Sequence, residues 1–315
     1  MLHWIIWAII FVISMFVLIK SSDYFVKFSQ KLGEALGVSQ FIIGVTVVAL
    51  GTSLPEFITS IIATFKGQVS IVLDNVVGSN IANIFLVIGV GAIFAKALKV
   101  ERDLIDIDIP LLLASQTLFV FFLIDGKITF FEGVMSLFII IFYIIYTTKH
   151  KCAAELELKK KKHPKANKLL LVLGIILSAF FIYIGAKFTV DSIVNLGTIL
   201  GVGTGVLSIT ALAIGTSLPE LVVTVTAALK KNYEMSLGNI FGSNIFNSAL
   251  VVGFPALFKN LTVSNVTLTS GLPFLIAATL LVSFSGISKK IHIWEGLMYV
   301  LFYVVFIGRL LMMVI

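Results

Sequence analysis

Six residues are spelled twice in this chain: GTSLPE runs from Gly51 to Glu56 and again from Gly215 to Glu220. Each copy sets a carboxylate inside a long apolar run, and a charge at bilayer depth costs roughly 2.5 kcal/mol or more even on lenient insertion scales. Two such glutamates need a compensating partner. An offset of 164 residues maps one copy onto the other, and the match continues without a gap from Gly37 (Gly201) to Gly89 (Gly253). Within that window Thr46, Ala49, Ala63, Asn75, Gly78, Ser79, Asn80 and Asn83 recur as Thr210, Ala213, Ala227, Asn239, Gly242, Ser243, Asn244 and Asn247. Chance similarity between apolar segments would preserve Leu, Ile and Val. What recurs here is mostly residues that bend backbone or carry oxygen.

Composition sets the class. With 59% apolar and 12% charged residues, the chain reads as an integral membrane protein. Uninterrupted apolar stretches predict ten spans, near 3–20, 40–64, 71–95, 107–124, 128–147, 169–189, 202–229, 235–258, 267–286 and 293–313. The fold class is all-α, because an unclosed strand in lipid leaves its backbone hydrogen bonds unmade, and the period-two alternation of a barrel is missing. The single cysteine, Cys152, and four scattered histidines give no basis for a disulfide or a sulfur or imidazole metal site. The first apolar run has only His3 ahead of it as a polar residue and carries no small-residue cleavage signature, so it is expected to remain as a span.

The net charge of +7 reports topology rather than nucleic acid. If Lys149–Lys168 is cytoplasmic, then Lys20, Lys27, Lys31, Lys96, Lys99, Arg102, Lys230, Lys231, Lys289 and Lys290 also fall inside. Only Lys66, Lys127, Lys187, Lys259 and Arg309 lie toward the outer face. This positive-inside pattern predicts a multi-pass protein of the cell (plasma or inner) membrane with both termini outside. Anionic headgroups are expected near the run Lys159–Lys162. The expected organisation is a first five-helix repeat over 1–148, a basic cytoplasmic linker over 149–168, and a second five-helix repeat over 169–315. FFEGVM at Phe130–Met135 is echoed by IWEGLM at Ile293–Met298. Five is odd, so the second repeat enters from the opposite side, giving inverted-topology repeats whose GTSLPE segments meet near the midplane.

The chemistry follows from spacing. Thr46, Ala49, Ser53, Glu56 and Ser60 make one helical stripe, repeated by Thr210, Ala213, Ser217, Glu220 and Thr224. Asn75, Ser79 and Asn83 share a face of the third span, as do Asn239, Ser243 and Asn247 of the eighth. Pro55 and Pro219 lack an N–H, which frees the Gly51 and Gly215 carbonyls and predicts a kink. Carbonyls, hydroxyls, amides and two carboxylates form a hard-oxygen set suited to sodium or calcium. Two ionised glutamates neutralise one divalent cation; empty, they repel and titrate as a coupled pair. Helix packing is the competing account for Ala63, Gly78, Gly242 and Gly89. Glu132 and Glu295 read as helix-start carboxylates, and Asp103, Asp106 and Asp108 as a solvated membrane edge.

GTSLPE followed by GSNI, with an Asn four residues after the Ser and present twice in inverted halves, resembles the repeats of the sodium/calcium exchanger family within the cation/calcium antiporters. The compact ten-span form is similar to prokaryotic members. The resemblance implies a transporter rather than an enzyme, with no cofactor, acting as a monomer by alternating access, in which spans one and six slide across a rigid core. It implies that Glu56 and Glu220 bridge calcium or sodium, helped by backbone oxygens of Thr52 and Thr216. Ser53, Ser79, Ser217 and Ser243 complete flanking sodium sites with the carbonyls of Ala49 and Ala213, and Asn83 and Asn247 line the centre. It further implies electrogenic calcium export at three sodium ions to one calcium. Two positions depart from the pattern. Asp74 precedes Asn75 where the family has Gly, as in Gly238, and is expected either to attract cations or to be surface. Asn247 stands where potassium-coupled relatives have Asp, which argues against a potassium site. The rival readings are a proton/calcium antiporter, an intramembrane hydrolase for which no nucleophile is visible, and a passive channel.

Overall fold

The structure is a computed structural model that describes residues 2–99, 108–149, 167–200, 215 and 217–314. Among them are ten helices: α1 (Leu2–Leu36), α2 (Gln40–Phe65), α3 (Val69–Ala95), α4 (Ile109–Leu123), α5 (Phe130–Lys149), α6 (Lys168–Ile199), α7 (Leu218–Leu229), α8 (Tyr233–Ala256), α9 (Thr267–Ile287) and α10 (Ile293–Val314). Eight are long and apolar enough to cross a membrane; α4 and α7, at 15 and 12 described residues, are shorter. They fall in the spans expected over 107–124 and 202–229, of which residues 107, 202–214 and 216 lie outside the described set. Most of the linker, with Cys152 and Lys159–Lys162, lies outside it too.

α3 and α8 are buried almost all round and form the centre. α8 crosses α2 where only glycine fits: a Cβ on Gly238 would sit 2.8 Å from the Phe41 carbonyl oxygen, and one on Gly242 would sit 2.6 Å from that of Val45. The echo between FFEGVM and IWEGLM has a spatial cause. A Cβ on Gly89 of α3 would lie 2.9 Å from the Gly296 carbonyl oxygen of α10, and one on Gly253 of α8 would lie 2.9 Å from that of Gly133 on α5. The last helix of each sequence half therefore packs on the central helix of the other. Short strands repeat the exchange: β1 (Ala97–Lys99) pairs antiparallel with β4 (Lys290–His292), and β2 (Lys127–Ile128) with β3 (Leu261–Thr262). The two halves interlock.

α1 and α6 pack along each other across the outside of this core. Gly174 meets the Phe28 ring and Gly185 the backbone of Leu18. Leu18, Phe25, Val26, Ile175 and Ile182 join Val48 of α2 and Val223 of α7 in an apolar cluster separate from the main core. The motif glycines face this pair: a Cβ on Gly51 would touch the Phe25 ring of α1 at 2.9 Å, and one on Gly215 would lie 3.2 Å from Val190 of α6.

Among the described residues, π turns interrupt the helices at Gly44–Val48, Asn83–Ile88, Asn247–Val251 and Thr267–Gly271. Such turns shift the hydrogen-bond ladder by one residue and re-aim the side chains around them. Two of them begin at the equivalent asparagines of the two motif copies, Asn83 and Asn247.

Candidate cation site

From Ala49 onward the stripe of α2 faces inward as its spacing predicts, whereas Thr46 is half-buried and its hydroxyl donates to the Ile42 carbonyl oxygen. Thr52, Ser53, Glu56 and Ser60 are buried, while Leu54, Ile58, Ile62 and Phe65 lie on the exposed side. α2 stays helical through Pro55, and its irregular turn lies upstream at Gly44–Val48. In the second copy a helix starts at Leu218 with Ser217 as N-cap, which places Pro219 and Glu220 in the first turn of α7. There a proline's missing N–H costs nothing, and the helix N-terminus favours a carboxylate.

The two copies meet through their oxygens. The Ser53 hydroxyl of α2 donates to Glu220 Oε1 of α7 at 3.2 Å, and Glu56 and Glu220 lie within electrostatic reach of one another. The Thr52 hydroxyl donates to Asn239 Oδ1 of α8 at 3.1 Å and lies 3.4 Å from the Ser243 hydroxyl. Asn239 Nδ2 in turn donates to the Thr224 hydroxyl at 2.9 Å, joining α8 to α7. At the middle of the central helices, Asn83 Nδ2 donates to Asn244 Oδ1 (3.4 Å) and Asn247 Nδ2 to Asn80 Oδ1 (3.1 Å). Asn83 and Asn247 thus each use their donor on the other half and keep their acceptor.

Several buried oxygens remain without a hydrogen-bond partner: both carboxylate oxygens of Glu56, Oε2 of Glu220, Oδ1 of Asn83 and Asn247, and the hydroxyls of Ser60 and Ser217. Both glutamates are 1% exposed. A buried carboxylate with unmatched oxygens is unstable by several kcal/mol unless a positive charge or proton accompanies it. No lysine or arginine supplies that charge among the described hydrogen bonds and ion pairs of these residues. A hard cation held by carboxylate, amide and hydroxyl oxygens fits the donor set.

Of the twelve residues singled out from sequence, Glu56, Glu220, Thr52, Ser53, Ser217, Ser79, Ser243, Asn83, Asn247 and Ala49 are all buried, on α2, α3, α8 and at the start of α7. Thr216 and Ala213 lie outside the described residues, as does Thr210.

The sodium/calcium exchanger protein family profile matches residues 6–149 and 170–312. The chain belongs to the sodium/calcium exchanger family. The exchanger MaX1 of Methanosarcina acetivorans is 34% identical to it, over 95% of this chain and 97% of that protein. An uncharacterized membrane protein of Methanocaldococcus jannaschii is also 34% identical, over 96% of this chain and 97% of its own length. The structure of the sodium-calcium exchanger NCX_Mj soaked with 2.5 mM Na+ and 0.1 mM Sr2+ superposes with a TM-score of 0.84 at 31% identity, covering 97% of this chain and 99% of that one.

One departure of this exchanger chain, Asp74, now has a physical setting. Asp74 is half-buried, and its Oδ1 accepts from the hydroxyls of Ser264 (2.9 Å) and Thr267 (2.7 Å) and from the Ser264 N–H (3.4 Å). It ties α3 to the start of α9, a third role beside the two expected. Gly238, its equivalent, lies against α2 backbone and has no room for a side chain. Asp108 corrects the solvated-edge reading: it is 3% exposed at the N-cap position of α4, covered by the surrounding protein. Asp103 and Asp106 lie outside the described residues. Glu132 accepts from the N–H and hydroxyl of Thr129 (2.7 and 2.8 Å), and Glu295 from the His292 N–H (2.7 Å), the reciprocal half of a helix-start box. Asp23 of α1 meets Lys230 Nζ at 2.6 Å.

Proposed function

We propose that this protein is a secondary antiporter that exchanges sodium for calcium across the cell membrane by alternating access. The observation that carries this reading is the set of unpartnered buried oxygens around two carboxylates, contributed by helices of both sequence halves. Glu56 and Glu220 would share one calcium ion or two sodium ions at charge balance. A third sodium, held by neutral oxygens of the flanking Ser, Thr and Asn residues, would leave one net positive charge to move, making exchange electrogenic and tied to the membrane potential. Ser53, Ser79, Ser217 and Ser243, backbone oxygens of Thr52, Thr216, Ala49 and Ala213, and the amide oxygens of Asn83 and Asn247 are the proposed ligands around the pair.

An inverted repeat would account for the pairing of the halves. Offsets of 163 and 164 relate β1 to β3 and β2 to β4, and the Gly89–Gly296 crossing to the Gly253–Gly133 crossing, as a two-fold axis between the halves would require. The long packing of α1 along α6, outside the core and over Gly51 and Gly215, favours their moving as one body. The lysine distribution favours termini outside and the 149–168 linker in the cytoplasm.

Proteoliposomes loaded with sodium and diluted into sodium-free medium should take up radioactive calcium. Uptake that follows an imposed pH gradient and ignores sodium would replace this reading with proton/calcium exchange. Uncoupled currents beyond carrier rates would replace it with a channel.

A further inference from the structure

The geometry points to Gln116 of α4 as a positioning residue that fixes the orientation of the Asn247 amide, and through it the calcium affinity of the site; this rests on the exchange reading above. Gln116 is 1% exposed in a helix whose other polar residues are its neighbours Ser115 and Thr117. Its Oε1 accepts from Asn80 Nδ2 at 3.2 Å, and its Nε2 donates to the Asn244 carbonyl oxygen at 3.1 Å and the Ser248 hydroxyl at 3.2 Å. Asn80 Nδ2 also donates to the Asn244 carbonyl oxygen, at 3.3 Å. Two acceptors therefore demand an NH2 at that end of Asn80. Its other end must then be oxygen, and that oxygen accepts from Asn247 Nδ2 at 3.1 Å.

The consequence is directional. With its donor held by Asn80, Asn247 can leave only its oxygen unpartnered, as observed. Rotating any amide of the series by half a turn would set oxygen against oxygen at the next link. Rotating Asn247 would also offer an NH2 to the site, where partial positive charge opposes a cation. The second half has no equivalent of Gln116. At the offsets relating the halves, 163 and 164, stand Thr279 and Leu280. The Thr279 hydroxyl is turned onto its own helix at the Leu275 carbonyl (2.8 Å), and Asn244 Nδ2 has no partner. Asn83 bonds Asn244 at the longer distance of 3.4 Å. The two central amides are thus unequally held, and Gln116 is the cause.

The test compares wild type, Gln116→Met, Asn247→Ala and the double variant in the full chain, by sodium-driven calcium uptake and by thermal unfolding. Gln116→Met keeps volume and removes the amide. It should raise the calcium concentration for half-maximal uptake about fivefold, the equivalent of one net hydrogen bond of about 1 kcal/mol. It should add nothing further when Asn247 is already alanine. Gln116→Asn, which stays polar but withdraws the amide by one methylene, should give the same shift, so a folding failure of the methionine variant leaves the test intact. An unchanged affinity in both variants overturns the proposal. So does a fivefold loss that persists in the Asn247→Ala background, which would mark a general packing role. Wild-type protein that exchanges no calcium for sodium would overturn the exchange reading itself, a result distinct from either.

Discussion

Substituting Gly242 by alanine tests how far the site depends on the crossing of α2 and α8. The added Cβ would lie 2.6 Å from the Ala49 Cβ, 2.6 Å from the Val45 carbonyl oxygen and 2.8 Å from the Val45 Cα. Two of these three atoms are backbone, so no rotamer change relieves the overlap. Carbon contacts are comfortable near 3.5–4.0 Å, so the helices must part by about 1 Å. Overpacking of this kind costs about 1–3 kcal/mol, and stretching the 3.1 Å Thr52–Asn239 bond forfeits about 1 kcal/mol more. Thr52 and Ser53 sit one turn from Ala49, so the same parting draws them away from Asn239, Ser243 and Glu220. Displacements of about 1 Å at a preorganised site are worth up to about a hundredfold in function, so flux should fall by more than stability alone accounts for. Thermal unfolding in detergent and calcium uptake per folded protein measure the two effects. Gly308→Ala, where an added Cβ meets nothing within 4 Å, is the control, and should be neutral or stabilising by about 0.5–1 kcal/mol. Wild-type melting and wild-type flux in Gly242→Ala would refute the reasoning.

Glu56→Gln or Glu220→Gln should abolish sodium-driven calcium uptake while leaving folded protein, because each removes a charge and keeps the shape; normal flux in either would count against the site. Ser53→Ala should weaken calcium-dependent flux, since it strips Glu220 Oε1 of its 3.2 Å donor; a net loss of about 1 kcal/mol, read as a severalfold rise in half-maximal calcium, is expected. Asp74→Ala should lower unfolding stability by about 1–3 kcal/mol through the orphaned Ser264 and Thr267 groups without changing the calcium affinity of folded protein; a shifted affinity would restore the cation-attracting role. Protons compete with cations for the same carboxylate oxygens, so acidification should raise half-maximal calcium, and a flat response down to about pH 5 would contradict the shared use of Glu56 and Glu220.

What the residues revealed in advance was whatever the chain states twice. Glu56 and Glu220, with their Ser, Thr and Asn neighbours, are polar groups repeated at one offset in apolar surroundings, and helical spacing alone put them on one face. The nitrogens of Asn83 and Asn247 bond between helices and their oxygens stay free, a division of labour that spacing alone does not state. Gln116 was not singled out because it is stated once. Its signal was a lone glutamine in the apolar run from Ile109 to Leu123. The exchange of α5 and α10 between halves was also hidden, since a repeat in sequence does not say which copy a helix packs on; the glycines at 133 and 296 carried that information only once their partners were visible. Asp108 misled because composition near a helix end cannot tell a buried cap from a wet edge.

The account stands most directly on where a divalent ion binds. Crystals of the full chain soaked in strontium should show anomalous scattering between the carboxylates of Glu56 and Glu220, with oxygens of both halves around it, and Glu56→Gln crystals should lose that peak. Strontium bound elsewhere in protein that still exchanges calcium for sodium, leaving the two glutamates without an ion between them, would contradict it.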